Sequence, residues 1–165
     1  MFVAESVLSD VHVKDATIGI QLVNSSLVMR NCTMNGGGGI QLTGSEPVSL
    51  TLDNASFSTH HSVNTITANL LDELDLSVTN SHLSAYGNYQ SVNVRCRGHL
   101  SIRITNSTMK STWGKAVVVQ AYDDAIRVTI AAENSTFTGE VHIIRLRHLV
   151  CFLGLLLSVI VLASI

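Results

Sequence analysis

One pattern of alternating side chains recurs six times in this chain and constrains its fold more than any other feature. Apolar side chains stand four and two residues before a polar residue and three residues after it. Alternation with a period of two predicts a strand, and recurrence of the whole unit at intervals of roughly 16 to 28 residues predicts a solenoid. The polar positions are Asp15, Asn31, Asn54, Asn80, Asn106 and Asn134.

A second, shorter run of alternating apolar residues follows each of the middle copies. These runs begin at Ile40, Ile66, Val92 and Val117. Each coil is therefore expected to contain at least two strands, which stack on those of the next coil through parallel ladders. The sequence predicts an all-β fold, a parallel β-helix of about six coils that forms one domain over residues 1–146.

The recurring Asn has the same parity as the apolar positions before it, so its side chain is expected to point into the coil. A buried amide needs a hydrogen-bond partner, and an Asn one coil away provides one at roughly the 4.8 Å strand spacing. We therefore expect an internal asparagine ladder at the point where the first strand of each coil ends.

With these repeats, the chain resembles the right-handed parallel β-helix proteins of the pectate-lyase-like superfamily, whose interiors carry such ladders. The segment from Asn31 to Ile40, with its four consecutive glycines, is also similar to units of bacterial and protozoan surface β-helices. The resemblance covers approximately residues 7 to 146. It implies a right-handed β-helix of the non-catalytic surface type, and it is specific for fold and not for function.

The chain changes character at its C-terminal end. Residues 149–165 carry no charge and follow Arg145 and Arg147. Seventeen residues reach the lower limit for a membrane-spanning helix, so residues 147–165 are predicted to form a hydrophobic membrane segment. Two membrane interpretations stay open: a retained anchor, which we favour, and a lipid-anchor signal that is removed. A last buried strand or helix is the third alternative.

Five Asn-x-Ser/Thr sequons favour an exported, glycosylated protein. Four of them coincide with the recurring Asn, where turn chemistry alone accounts for the residue. Asn24 is the exception, and we predict glycosylation there because it lies in the turn before the strand that contains Leu27. The basic residues before position 149 would instead keep the β-helix in the cytoplasm. We expect display at the cell surface, with an extracellular β-helix.

Ring-bearing side chains follow three of the recurring Asn residues: His60 and His61, then Tyr86 and Tyr89, then Trp113. Equivalent loops of a solenoid stack on one edge, so these rings are expected to form a stripe along it. Aromatic faces are good platforms for sugar rings, and loops on a rigid scaffold often carry binding sites. The stripe therefore predicts a surface that binds a glycan or a protein partner.

Acidic side chains support the alternative, a carbohydrate-active enzyme. Asp72 and Glu73 lie in one predicted turn, and Asp123 and Asp124 lie two coils further along. Two strand spacings are roughly 9.6 Å, near the upper separation of the carboxylates in inverting glycoside hydrolases. The polygalacturonases of the superfamily follow their Asp pair with Gly-His-Gly and Arg-Ile-Lys segments, which do not follow this pair. Solvated turn charges are the simpler interpretation.

Composition narrows the partners further. A net charge of −2 argues against nucleic acid, because phosphate binding needs a basic face. The adjacent His60 and His61 would point to opposite faces of a strand, and the three cysteines show no CxxC spacing, so we expect no metal and no cofactor.

The sequence predicts a membrane-anchored stalk or adhesin-like segment, held by residues 149–165. The alternative is a fragment of a polysaccharide hydrolase or lyase.

Overall fold

A computed structural model describes residues 4–16, 19–60, 63–122, 127–145 and 158–161. Within these ranges the chain contains strands and no helix. The strands are β1 Ala4–Ser9, β2 His12–Ala16, β3 Ile20–Val23, β4 Ser25–Arg30, β5 Thr33–Gly36, β6 Ile40–Gly44, β7 Val48–Asp53, β8 Ser56–Thr59, β9 Ile66–Leu70, β10 Leu74–Thr79, β11 His82–Ala85, β12 Val92–Cys96, β13 Leu100–Thr105, β14 Thr108–Ala121, β15 Val128–Glu133, β16 Thr136–Arg145 and β17 Ser158–Val161.

Strands that occupy equivalent places in successive coils pair in parallel. The first sheet has the order β1-β4-β7-β10-β13-β15-β17, the second begins β2-β5-β8-β11, and the third begins β3-β6-β9-β12. The long strand β14 pairs with both β11 and β12, and so joins the second and third sheets into one continuous sheet of ten strands, in which β16 also pairs with β14. The prediction of an all-β parallel solenoid is confirmed, with about four turns. The count of six coils and the right-handed sense stay predictions.

The hydrophobic core lies inside the coils and is lined by alternate residues of the strands. Leu50, Leu76 and Ile102 are aligned through the register of β7, β10 and β13, and all three are buried. The intervening residues face outward, as Ser77 does between buried Leu76 and Val78. Burial of each such side chain contributes about 1.5–3 kcal/mol, so the stacked rows supply most of the stabilisation.

The recurring asparagines end the strands of the first sheet, but their side chains point outward. Asn31, Asn54, Asn80 and Asn106 are exposed and have φ angles between 49° and 52°. A residue in this left-handed conformation interrupts the alternation of a strand. An even spacing from the buried residues therefore no longer places its side chain inside the coil. Asn is favoured there because its short amide tolerates the conformation. The prediction of an internal asparagine ladder is therefore wrong.

The amides form an external ladder instead. Asn54 Nδ2 donates to Asn31 Oδ1 at 2.8 Å, and Asn106 Nδ2 donates to Asn80 Oδ1 at 3.4 Å. Between these two pairs, Asn80 Nδ2 donates to Asp53 Oδ1 at 3.4 Å. Since water competes for exposed amides, these hydrogen bonds add little net stability.

The residue after each of these four asparagines points inward, and after Asn80 and Asn106 it is a serine that forms an internal polar ladder. Ser81 Oγ donates to Thr79 O at 2.6 Å and accepts from the Ala55 N–H, one coil earlier, at 3.0 Å. Ser107 Oγ does the same one coil later, accepting from the Ser81 N–H at 3.0 Å. Both serines are buried, so each hydroxyl satisfies a backbone donor that has no water to bind.

Most of the predicted membrane segment, 147–165, lies outside the described residues. The exception is β17, which pairs in parallel with Thr129 to Ala132 of β15. This pairing is the arrangement that a last buried strand predicts. No helix in the part of the chain that the structure describes is long and apolar enough to cross a bilayer. The membrane segment and the domain boundary at 146 stay predictions.

Replacing Ser81 by Ala should lower the free energy of unfolding by about 1–3 kcal/mol, because the buried Ala55 N–H loses its acceptor. Ser77→Ala, on the outward face of β10, is the matched control and should change it by less than about 0.5 kcal/mol. Chemical denaturation of both variants measures the difference. Equal losses at the two serines would contradict the internal hydroxyl ladder.

Asn80→Leu should cost roughly 1–2 kcal/mol of unfolding free energy, because a leucine is strained in the left-handed conformation. Asn80→Gly should avoid most of that loss, since glycine adopts positive φ without strain. Asn88, exposed but not left-handed, provides the control substitution Asn88→Leu, which should be nearly neutral. A glycine variant as unstable as the leucine variant would show that the amide contacts, and not the backbone, require Asn80.

Candidate functional site

An irregularity in β14 creates the most distinctive surface of the solenoid. The strand runs beside β11 up to Ser111 and beside β12 from Val117, and so crosses the corner between the second and third sheets. Its register with β16 shifts between Lys110 and Lys115, and again before Val117. Bulges of this kind re-aim side chains. Trp113 lies in the bulged part and is 68% exposed.

A glycine and a buried serine hold the neighbouring turn against this bulge. The Trp113 N–H donates to Gly87 O at 3.0 Å, and Gly87 has a φ of +73°, which favours glycine. Ser111 Oγ donates to Tyr89 O at 2.8 Å from a buried position. The turn that carries Tyr86 and Tyr89 is thereby fixed relative to Trp113.

Three aromatic side chains line an open groove of about 670 Å³, which we call the aromatic groove. The ring centroids of Tyr86 and Trp113 are 5.4 Å apart and their planes are tilted by 53°. Tyr86 and Tyr89 are 51% and 37% exposed. The remaining lining residues are Asn64, Gly87, Asn88, Gln90 and Asn93. The groove therefore combines apolar ring faces with amide donors and acceptors.

Hydrogen bonds to the solenoid hold the amides of the groove in place. Asn64 Oδ1 accepts from the Gln90 N–H at 2.8 Å, and Asn64 Nδ2 donates to Thr67 Oγ1 at 3.2 Å. Asn93 Nδ2 donates to Gln90 Oε1 at 3.3 Å, and Gln90 Nε2 donates to Asn88 O at 2.8 Å. Ordering mobile side chains costs binding free energy. Because these amides are already held in place, a ligand that binds here pays less of that cost.

The structure brings together three of the five rings that the sequence placed in one stripe. Tyr86, Tyr89 and Trp113 share the aromatic groove. His60 follows the last residue of β8, as Tyr86 follows that of β11 one coil later, but its Nε2 lies 2.8 Å from Asn35 Oδ1 and it is not part of the groove lining. His61 lies outside the described residues.

The amide wall of the groove was not among the predicted site residues. Its signal in the sequence is weak: Asn64 and Gln90 are 26 residues apart, which is the length of one coil. Only the register of the coils brings such a pair into contact. Scattered Asn and Gln residues in turns otherwise have a simpler explanation in turn chemistry.

Only two of the four acidic residues of the enzyme alternative lie in the part of the chain that the structure describes. Asp72 and Glu73 are exposed in the turn between β9 and β10, and Asp123 and Asp124 lie outside the described residues. Next to this turn, burial raises the pKa of the Cys96 thiol, and the charges of Asp72 and Glu73 add to the effect. Cys96 Sγ also donates to Asp72 O at 2.9 Å. A thiol with a raised pKa is a poor nucleophile.

A second groove, of about 440 Å³, runs beside the external asparagine ladder. In it, His12 Nδ1 lies 2.7 Å from Thr33 Oγ1. Its lining residues are Asp10, His12, Asn31, Thr33, Asn54, Ala55, Ser56, Asn80 and His82. No group of three or more His, Cys, Asp or Glu side chains within the described ranges is placed to hold a metal ion. The second groove offers hydrogen bonds without a Tyr or Trp platform, so the aromatic groove is the stronger candidate site.

No protein-family model matches the chain, and neither a curated protein nor a solved structure matches it. The parallel β-helix is therefore established by the strand pairing of this structure alone. Function has to be argued from the chemistry of the aromatic groove.

Proposed function

We propose that this protein is a surface-displayed, non-catalytic β-helix segment, a stalk or adhesin-like module, that binds glycans through the aromatic groove. The observation that carries the proposal is the exposed pair Tyr86 and Trp113, 5.4 Å apart, beside a wall of positioned amides. Sugar rings have apolar faces that pack on aromatic rings, and hydroxyl edges that exchange hydrogen bonds with amides. A rigid solenoid provides the support that such a site needs.

A binding role explains the described surface better than catalysis does. Among the described residues, neither Asp72 nor Glu73 lines either of the two grooves. A hydrolase needs two carboxylates on opposite sides of the bound sugar, whereas the aromatic groove is lined by rings, amides and a glycine. This composition favours a site that holds a glycan without cleaving it.

Display at the cell surface is the second part of the proposal. The uncharged residues 149–165 are long enough for a retained membrane anchor, with a removed lipid-anchor signal as the alternative. In either case β17 would leave the first sheet, and β15 would become its last strand. The right-handed, pectate-lyase-like assignment also belongs to the proposal, and the coil pattern and parallel sheets support it.

Trp113→Ala should weaken glycan binding by roughly ten-fold or more, which corresponds to about 1.4 kcal/mol. Calorimetric titration of the full chain with members of a glycan panel measures the change. Tyr122→Ala is the matched control, because Tyr122 lies beside Arg97 and outside the groove. Equal affinities for wild-type and Trp113→Ala would overturn the site, and a chain that binds no glycan but binds a purified surface protein would overturn the ligand class.

On export through a secretory pathway, Asn24 should carry more glycan than Asn54. Asn24 is exposed, and its described contacts use its oxygen, which accepts from the Ser45 N–H at 2.8 Å and the Glu46 N–H at 3.3 Å. Asn54 uses its nitrogen, which donates to Asn31 Oδ1. Glycopeptide mapping of folded protein from a secretory host measures both occupancies. Equal or higher occupancy at Asn54 would contradict this ranking.

A further inference from the structure

A column of uncharged polar side chains continues the aromatic groove along the third sheet. Asn93, Thr67, Gln41 and Gln21 take equivalent outward positions on β12, β9, β6 and β3, paired in register. Gln21 Nε2 donates to Gln41 Oε1 at 3.1 Å. Gln21 and Gln41 are exposed, whereas Thr67 and Asn93 are half-buried. Three strand spacings give this amide column a length of roughly 14 Å.

The amide column meets the groove through shared contacts. Asn93 is part of both, and Thr67 accepts a hydrogen bond from the groove residue Asn64 at 3.2 Å. Tyr86 lies in the turn before β12, the strand that carries Asn93, and Trp113 lies in β14 of the following coil. Groove and column therefore form one continuous track that runs along the axis of the solenoid.

Charge distinguishes this track from a surface for acidic polymers. Apart from the tyrosine phenols, no residue of the aromatic groove or the amide column is ionisable. The nearest cation on the outward face of β12 is the exposed Arg95, two residues beyond Asn93. Its equivalents in the adjacent coils are Asn69 and Gln120, so the arginine is not repeated there. On β3, β6, β9 and β12, which carry the amide column, a polyanion would therefore meet a single cation, Arg95, where it needs a row of them.

We infer that the ligand is an uncharged linear polysaccharide whose chain runs along the solenoid axis. It rests on Tyr86 and Trp113 at one end and follows the amide column from Asn93 to Gln21. The 53° tilt between the two rings suits successive sugar units that are turned relative to each other. Amides and a hydroxyl supply both donors and acceptors, as the hydroxyl groups of neutral sugars require. This inference rests on the proposed function and narrows it to one ligand class and one path.

Trp113 is the single tryptophan of the chain, so its fluorescence reports directly on occupancy of the groove. The full chain is titrated with neutral β-linked glucose oligosaccharides from disaccharide to octasaccharide, and with oligogalacturonates of the same lengths. Affinity for the neutral series should rise at least ten-fold with length and then level off, and the acidic series should bind more weakly at every length. An affinity that does not depend on the length of the oligosaccharide would contradict the inference that the polysaccharide runs along the solenoid axis. Tighter binding of oligogalacturonates that is lost in Arg95→Gln would overturn the ligand class.

The substitution Gln41→Ala tests the contribution of the amide column to binding separately from that of the aromatic groove. It should reduce affinity for the octasaccharide several-fold and leave affinity for the disaccharide unchanged, because short chains occupy the groove alone. Gln120→Ala, a glutamine on the same sheet but outside the column, is the matched control and should change neither. Circular dichroism confirms that each variant is folded.

The two proposals fail in different ways. If no member of the glycan panel, these two series included, changes Trp113 fluorescence, glycan binding at the groove is wrong and the inferred path falls with it. If sugars bind but Gln41→Ala leaves the octasaccharide affinity unchanged, glycan binding holds and the axial path is wrong.

Discussion

In-register parallel pairing of successive coils is the constraint on which the rest of this structure depends. It places Leu50, Leu76 and Ile102 in one buried row, and it repeats that arrangement along the solenoid. The same register places Ser107 below Ser81, so that each hydroxyl meets a backbone donor of the neighbouring coil. A slip of one residue would turn every buried side chain outward. The register between coils therefore determines the core, the internal polar ladder and the amide column.

Left-handed asparagines make this register compatible with a closed coil. At Asn80 the backbone leaves the extended conformation, so the side chain stays in water and the next residue, Ser81, points inward. The chain thus turns a corner without burying an amide. The polar atom inside the corner is a hydroxyl, which is smaller and is satisfied by backbone groups of two successive coils.

The candidate site arises where the repeat is interrupted. Up to β12, separate strands form the second and third sheets, whereas β14 serves both and bulges between them. The bulge exposes Trp113 beside Tyr86, while the regular coils on the other side supply the aligned polar side chains of Asn93, Thr67 and Gln41. The bulge in β14 provides the aromatic platform, and the in-register strands of the third sheet provide the amide column that extends from it. Glycan binding is a chemical interpretation of that combination.

The sequence by itself determined the fold class, because a two-residue period and a repeated coil are local patterns that leave few architectures open. It also drew attention to Tyr86, Tyr89 and Trp113 as equivalent turn residues. It misplaced the asparagines, since parity holds only while the backbone stays extended and φ at Asn80 is positive. The amide wall and the column needed the tertiary structure. Contacts such as Asn64 with Gln90 join residues 26 positions apart, and only the register between coils decides which of them meet.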